Sequence, residues 1–225
     1  MTGDEYGRGS GEERPAWVKP LMEWSAIENV RARLAGPIDH VPGEIGGIAL
    51  SNPGRQLLAW WLEARKGLAM PGPDDVSPRA LVELLPYIRY LSWEDDEKLV
   101  FRIYGSALVE ASGLDLTGYN IFASGHEEVD IDRARLKPLH TQPCGIVMIR
   151  DIHGRDGTAH PCEFMTLPIA PGADGKPRII GTVVPAVKMR EWNVDVQFTG
   201  PLTLRRAVYF DTGAGVPLSS PGLEV

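Results

Sequence analysis

His140, Cys144, His153, His160 and Cys162 fall in one short stretch of a 225-residue chain, and imidazole and thiol groups so close in sequence invite a metal site. Strand geometry decides how many of them can meet. The runs 145–153 and 159–169 alternate as strands joined by Gly154-Arg155-Asp156-Gly157, whose flanking glycines suit a hairpin turn. A turn centred on Arg155 and Asp156 sets Asp151 opposite His160, Ile149 opposite Cys162 and Cys144 opposite Leu167. The cysteines then stand about five rungs apart, roughly 16 Å at ~3.3 Å per residue, too far for a disulfide or a shared ion. What remains is Asp151, His153 and His160 on one face near the hairpin end, a candidate metal set whose plainer reading is a solvated polar tip.

The arginines offer a second chemistry. In the same register Arg150 lies diagonal to Glu163, which makes either a cross-strand ion pair or, on a face that lines a pocket, a clamp for a carboxylate. Arg102 interrupts an apolar strand and has the same fork of donors. Tyr104, in that strand, completes this ligand-binding set. Asp211-Thr212-Gly213 matches the active-site turn of aspartic proteases, whose paired carboxylates share a proton, but that fold needs further strands and a helix after the turn. An ordinary turn closing a strand over 202–210 is the better reading, and that strand either docks on its own domain or pairs with another subunit. No phosphate loop, dinucleotide fingerprint or serine elbow occurs in the sequence.

The elements that must position these groups follow from periodicity and punctuation. Residues 1–19 are polar and glycine-rich, a tail that cannot bury enough surface to order itself. Leu21, Ile27, Val30 and Leu34 recur at helical spacing over 20–34 before Gly36-Pro37, and 37–53 reads as an irregular connection. Leu57, Leu58, Trp61 and Leu62 stripe a helix over 54–66, with Gly67 as its left-handed cap. Ser77-Pro78 starts another that Pro86 closes. Strands over 88–93 and 99–104 form a hairpin with an acidic tip, a short helix over 107–111 ends at Gly113, and Ser124 with Glu127 fits a capping box for a helix to about Leu136. The strands that flank Gly154 and a last one over 178–187 follow.

Five strands with helices inserted between the second and third resemble the PAS fold, an antiparallel sheet whose inserted helices enclose a small pocket. Leu57-x-x-x-Trp61, Pro71, Pro78-x-x-Leu81-x-x-Leu84-Leu85-Pro86, Phe101-Arg102-x-x-Gly105-Ser106-x-Leu108 and Gly113-x-x-Leu116-Thr117-Gly118 are similar to a bacterial family of stand-alone PAS-like proteins of poorly defined function. The fold class expected is α+β: a PAS-like five-stranded antiparallel sheet with inserted helices and an extra N-terminal helix. The domain spans 54–190, with 191–225 as a C-terminal extension. A PAS-like haem pocket would draw its axial ligand from His126 or His140. Photoadduct flavin chemistry uses a cysteine in an Asn-Cys-Arg context, which neither Pro143-Cys144-Gly145 nor Pro161-Cys162-Glu163 supplies. Neither haem nor flavin is supported by a specific motif.

The resemblance implies sensing or protein-interaction work. The flanks 1–53 and 191–225 are too short for a kinase or cyclase domain, so the signal is expected to leave through a signalling partner or a homodimer. A net charge of −7 without a basic block removes the attraction that drives non-specific nucleic-acid binding. No run approaches the ~18 apolar residues of a membrane span. Met1 to Arg14 is unlike a secretory signal, and two cysteines fit a reducing compartment. The expectation is a cytoplasmic regulatory module that binds a small molecule or a partner. Its alternatives are an enzyme or metal protein built on Asp151, His153 and His160, and a scaffold without ligand.

Overall fold

The computed structural model describes residues 41–124, 129–153, 158–185 and 202–217. The expected helix over 20–34, the Ser124 and Glu127 capping box, His126 and the turn Gly154 to Gly157 lie wholly or in part outside the described residues. A two-residue hairpin opens the described chain, β1 (Glu44–Ile45) and β2 (Ile48–Ala49), with Gly46 and Gly47 at φ +54° and +79°. Helix α1 (Asn52–Ala64) follows, two residues earlier at each end than the apolar stripe suggests. Its start is set by Ser51, whose hydroxyl accepts from the Gly54 N–H at 3.1 Å, and Pro53 occupies the first turn, where its missing N–H costs nothing. Leu57, Leu58 and Trp61 form the buried stripe, and Trp61 Nε1 donates to the Pro168 carbonyl at 2.6 Å.

The helix expected after Ser77 is a correction. Ser77 does cap a turn, its Oγ accepting from the Ala80 N–H at 3.2 Å, but 78–84 remain turns and a 3-10 segment Leu85–Tyr87 ends them. The segment closes on 3-10-type bonds, Leu84 N–H to the Leu81 carbonyl at 2.8 Å and Tyr87 N–H to the Leu84 carbonyl at 2.9 Å, and Pro86 has no N–H with which to continue a helical ladder. Leu81 and Leu84 are nonetheless buried, as a core-facing role requires.

Strands β3 (Ile88–Asp95) and β4 (Lys98–Tyr104) form the acidic-tipped hairpin. Between them and the later strands come α2 (Ser106–Ser112), ended by Gly113 at φ +70°, then α3 (Val129–Leu136) and α4 (Pro138–Thr141). Strands β5 (Cys144–His153), β6 (Ala159–Ile169), β7 (Arg178–Pro185) and β8 (Thr203–Asp211) complete an antiparallel sheet of order β4-β3-β7-β6-β5-β8. The architecture is the expected α+β sheet with inserted helices, with six strands in place of five. The sixth is the strand foreseen near 202–210. It docks on its own domain and covers the edge that β5 would otherwise expose.

The β5 and β6 register differs from the expectation by one residue. Arg150 faces Cys162, Asp151 faces Pro161 and Ile152 faces His160. A one-residue slip moves every side chain of one strand to the other side relative to its partner. Both faces of these strands are buried, so apolar alternation gives no inside or outside by which sequence could fix the register.

Candidate functional site

Directly opposed residues in an antiparallel ladder point to the same side of the sheet. One rung therefore carries a row across all six strands: Tyr104, Arg89, Gly181, Thr166, Ile146 and Tyr209. This is the side covered by the inserted segment, since Trp93, two positions along from Leu91 and four from Arg89, packs on Phe122 and His140 with ring centroids 5.6 and 6.0 Å apart.

Arg89 is second on the rung, in a strand flanked on both sides, and is only 8% exposed. Its guanidinium crosses Gly181, where an added Cβ would lie 3.0 Å from Nε, and Nη2 donates to Thr166 Oγ1 at 2.6 Å. Cζ lies 5.1 Å from the centre of the Phe164 ring. Nε is buried without an acceptor. Burial, then the charge of Arg150, pull the Arg89 pKa down to about 10, which leaves it cationic at neutral pH. Tyr104, beside it, has its phenol pushed up to about 12 by burial, against the opposing bond with Ser112.

A second polar group lies along the same side. Arg150 and Arg135, with side chains each 4% exposed, both donate to the carboxylate of Asp132. Arg150 spans its two oxygens, with Nη1 at 2.8 Å from Oδ2, and Arg135 Nη1 lies 2.9 Å from Oδ1. Burial alone would raise the Asp132 carboxyl, but the bonds and charges of Arg150 and Arg135 outweigh it and hold it below the usual carboxylate value. Tyr209 donates its hydroxyl to the Arg135 carbonyl at 2.6 Å. The group thus ties α3 to β5 and, through Tyr209, to the C-terminal strand β8.

His140 lies on α4 with both ring nitrogens buried and without hydrogen-bond partners. Desolvation pushes its pKa down to about 4, so the imidazole is neutral at pH 7. Cys144 and Cys162 are buried free thiols, and burial raises both, Cys144 to about 11. Neither is a thiolate at neutral pH.

The opposite side of the sheet carries α1, which packs on β6 and β7. There Glu163, 1% exposed, accepts from the Ser51 N–H at 2.5 Å and from Ser51 Oγ at 2.8 Å. Burial raises its pKa and the two Ser51 bonds pull it back. Gly54 has no Cβ because the Glu163 carboxylate occupies that place.

The groups singled out in sequence are distributed as follows. Arg150 and Tyr104 lie on the covered side, and His140 is packed over it. Arg102 is exposed on edge strand β4 and paired with Glu94. Arg150 and Glu163, expected as diagonal neighbours, are on opposite sides, and Asp132 takes the carboxylate role. Asp151 and His153 share one side, where Asp151 Oδ2 accepts from Arg205 Nε at 2.7 Å and His153 Nε2 lies 3.4 Å from Thr203 Oγ1. His160 is on the other side, opposite Ile152. The three do not converge, and no group of three ligating side chains suited to a metal occurs among the described residues.

Arg89, Thr166 and Asp132 were missed. The available signal was the one noted for Arg102, an arginine inside an apolar strand: Ile88-Arg89-Tyr90-Leu91 has it too. Which of the two strands is central depends on strand order, which the local pattern does not contain.

The PAS domain family matches residues 50–184, more than half of the chain. No curated protein matches it. The match covers the sheet through β7 together with α1 and the inserted helices, and the chain belongs to the PAS domain family.

Proposed function

We propose that this PAS domain is a sensory or regulatory module that takes a small molecule between its sheet and the inserted helices and reports occupancy through a partner protein or a second copy of itself. The observation that supports this most directly is the Asp132 group. A carboxylate on an inserted helix is gripped by an arginine of β5, and the same helix end is tied to β8 through Tyr209. A molecule that displaced α3 would have to rearrange a buried charge pair, and such pairs switch between discrete arrangements rather than stretching. The change would arrive at β8, which carries the exposed Arg206 and, beside it, Arg205 paired with Asp151. No helix among the described residues is long and apolar enough to cross a membrane.

Native mass spectrometry of the purified chain, beside its denatured mass and an absorbance spectrum, tests the reading in one sample. A retained organic molecule, lost when Asp132→Ala or Arg150→Met loosens α3, is the expected result. An empty chain that also binds nothing from a metabolite library would overturn it.

A further inference from the structure

A guanidinium carries five N–H donors, and buried cations are ordinarily matched by an acid. Arg89 departs from that pattern. Among the described residues it makes one hydrogen bond, to Thr166, and no carboxylate pairs with it, since Asp132 is held by Arg150 and Arg135. Nε has no acceptor although it is buried. A purely structural side chain here would be better apolar, because methionine keeps the unbranched stem without desolvating a charge. The fold instead makes room for the arginine: Gly181 stands directly between Arg89 and Thr166 on the rung and offers no Cβ to obstruct the guanidinium. The ring of Phe164 lies against the guanidinium, Thr166 takes one bond from Nη2, and Nε is left as a buried donor without an acceptor.

We propose that Arg89 anchors a binding site for a small organic carboxylate, with Thr166 orienting the guanidinium and the rings of Phe164 and Tyr104 meeting the rest of the molecule. The planar fork matches a carboxylate through two parallel N–H bonds. Arg150, close enough to depress the Arg89 pKa, adds positive potential without offering a free fork. The assignment rests on the ligand-binding reading above and narrows it to one chemical class.

The test titrates the full chain by calorimetry with benzoate and hexanoate, their primary amides, and inorganic phosphate, in wild type, Arg89→Met and Thr166→Val. The expected result is binding of the carboxylates in preference to the amides and phosphate, a loss of about tenfold or more in Arg89→Met, and a smaller loss in Thr166→Val. If Arg89→Met does not fold, Arg89→Lys decides, since it keeps the charge and removes the fork, and the same loss is expected. Amides that bind as well as acids, or affinities indifferent to position 89, overturn the proposal. Phosphate binding as tightly as the carboxylates overturns the carboxylate assignment. A neutral molecule retained equally by wild type and Arg89→Met sinks the anion site while leaving the sensory reading intact. A chain that binds no probe and carries nothing in native mass spectrometry sinks both.

Discussion

The two sides of the sheet each bury a charge, and they treat it in opposite ways. Under α1, Glu163 meets the backbone and hydroxyl donors of Ser51, and the helix start above it lacks a Cβ so that the carboxylate fits. An acid at a helix N-terminus also agrees with the helix dipole. Under the inserted helices, Arg89 has one bond for five donors. A buried charge that meets an opposite charge or a set of aimed donors is a fastening, as at Glu163 and Asp132. Arg89, buried with no carboxylate beside it among the described residues, is the one to which the proposed carboxylate is assigned. Asp132, gripped by two arginines, lies on the second side but is built like the first.

The largest effect expected from breaking this contrast is at Asp132. Asp132→Ala leaves Arg150 and Arg135 buried without their shared carboxylate and should cost about 3–5 kcal/mol in urea denaturation. A loss under about 1 kcal/mol would mean that the group is not desolvated as described.

Next comes the pH response of the covered side. The folded state holds His140 at a pKa of about 4, below the ordinary 6.5, so between those values the unfolded chain binds more protons. Stability should therefore fall as pH drops from 6.5 towards 4, by on the order of 2–3 kcal/mol in total. His140→Phe, which keeps an aromatic ring against Trp93, should flatten that slope between pH 6.5 and 5. A slope that persists in the variant would assign it to another group.

On the α1 side, Ser51→Ala removes both the helix cap and the hydroxyl donor to Glu163, leaving the backbone N–H, with a cost of about 1–2 kcal/mol at neutral pH. The Glu163 pKa is raised in the folded state, so its contribution is favourable below the unfolded value and lost as pH rises through the folded one. Losing Ser51 extends that penalty, and the deficit should be larger at pH 7.5 than at pH 4. Equal deficits at the two pH values would show that the carboxylate is not ionised against Ser51.

The smallest effect on stability is expected at Arg89, despite its burial. Arg89→Met removes an unmatched cation and should leave the midpoint of unfolding within about 1 kcal/mol of wild type, or raise it. A loss like that at Asp132 would make Arg89 a fastening too and erase the contrast.

Much of this could be seen in the sequence. Periodicity placed α1 and most of the strands, Gly113 marked the end of α2, and the ordered motifs pointed to the PAS fold because each is a local requirement of a turn, a cap or a buried stripe. Ser77-Pro78 misled because a start signature fixes the first turn alone and not whether the following bonds are helical or 3-10. Arg150 was noticed, but its partner was assigned to the neighbouring strand when it stands on the inserted helix α3, farther back in sequence.

The sequence alone determined α1 and most of the strands, the α+β class, and a net negative charge without a basic block, since these depend on residues within a few positions of one another or on simple sums. Tertiary structure decided the rest. Strand order put Arg89 on an interior strand, flanked on both sides, and Arg102 on the edge. A one-residue difference in register separated His160 from Asp151 and His153. The covering of both faces removed the polar alternation by which sequence could have fixed that register, so only the packed layers could settle which side each group would face.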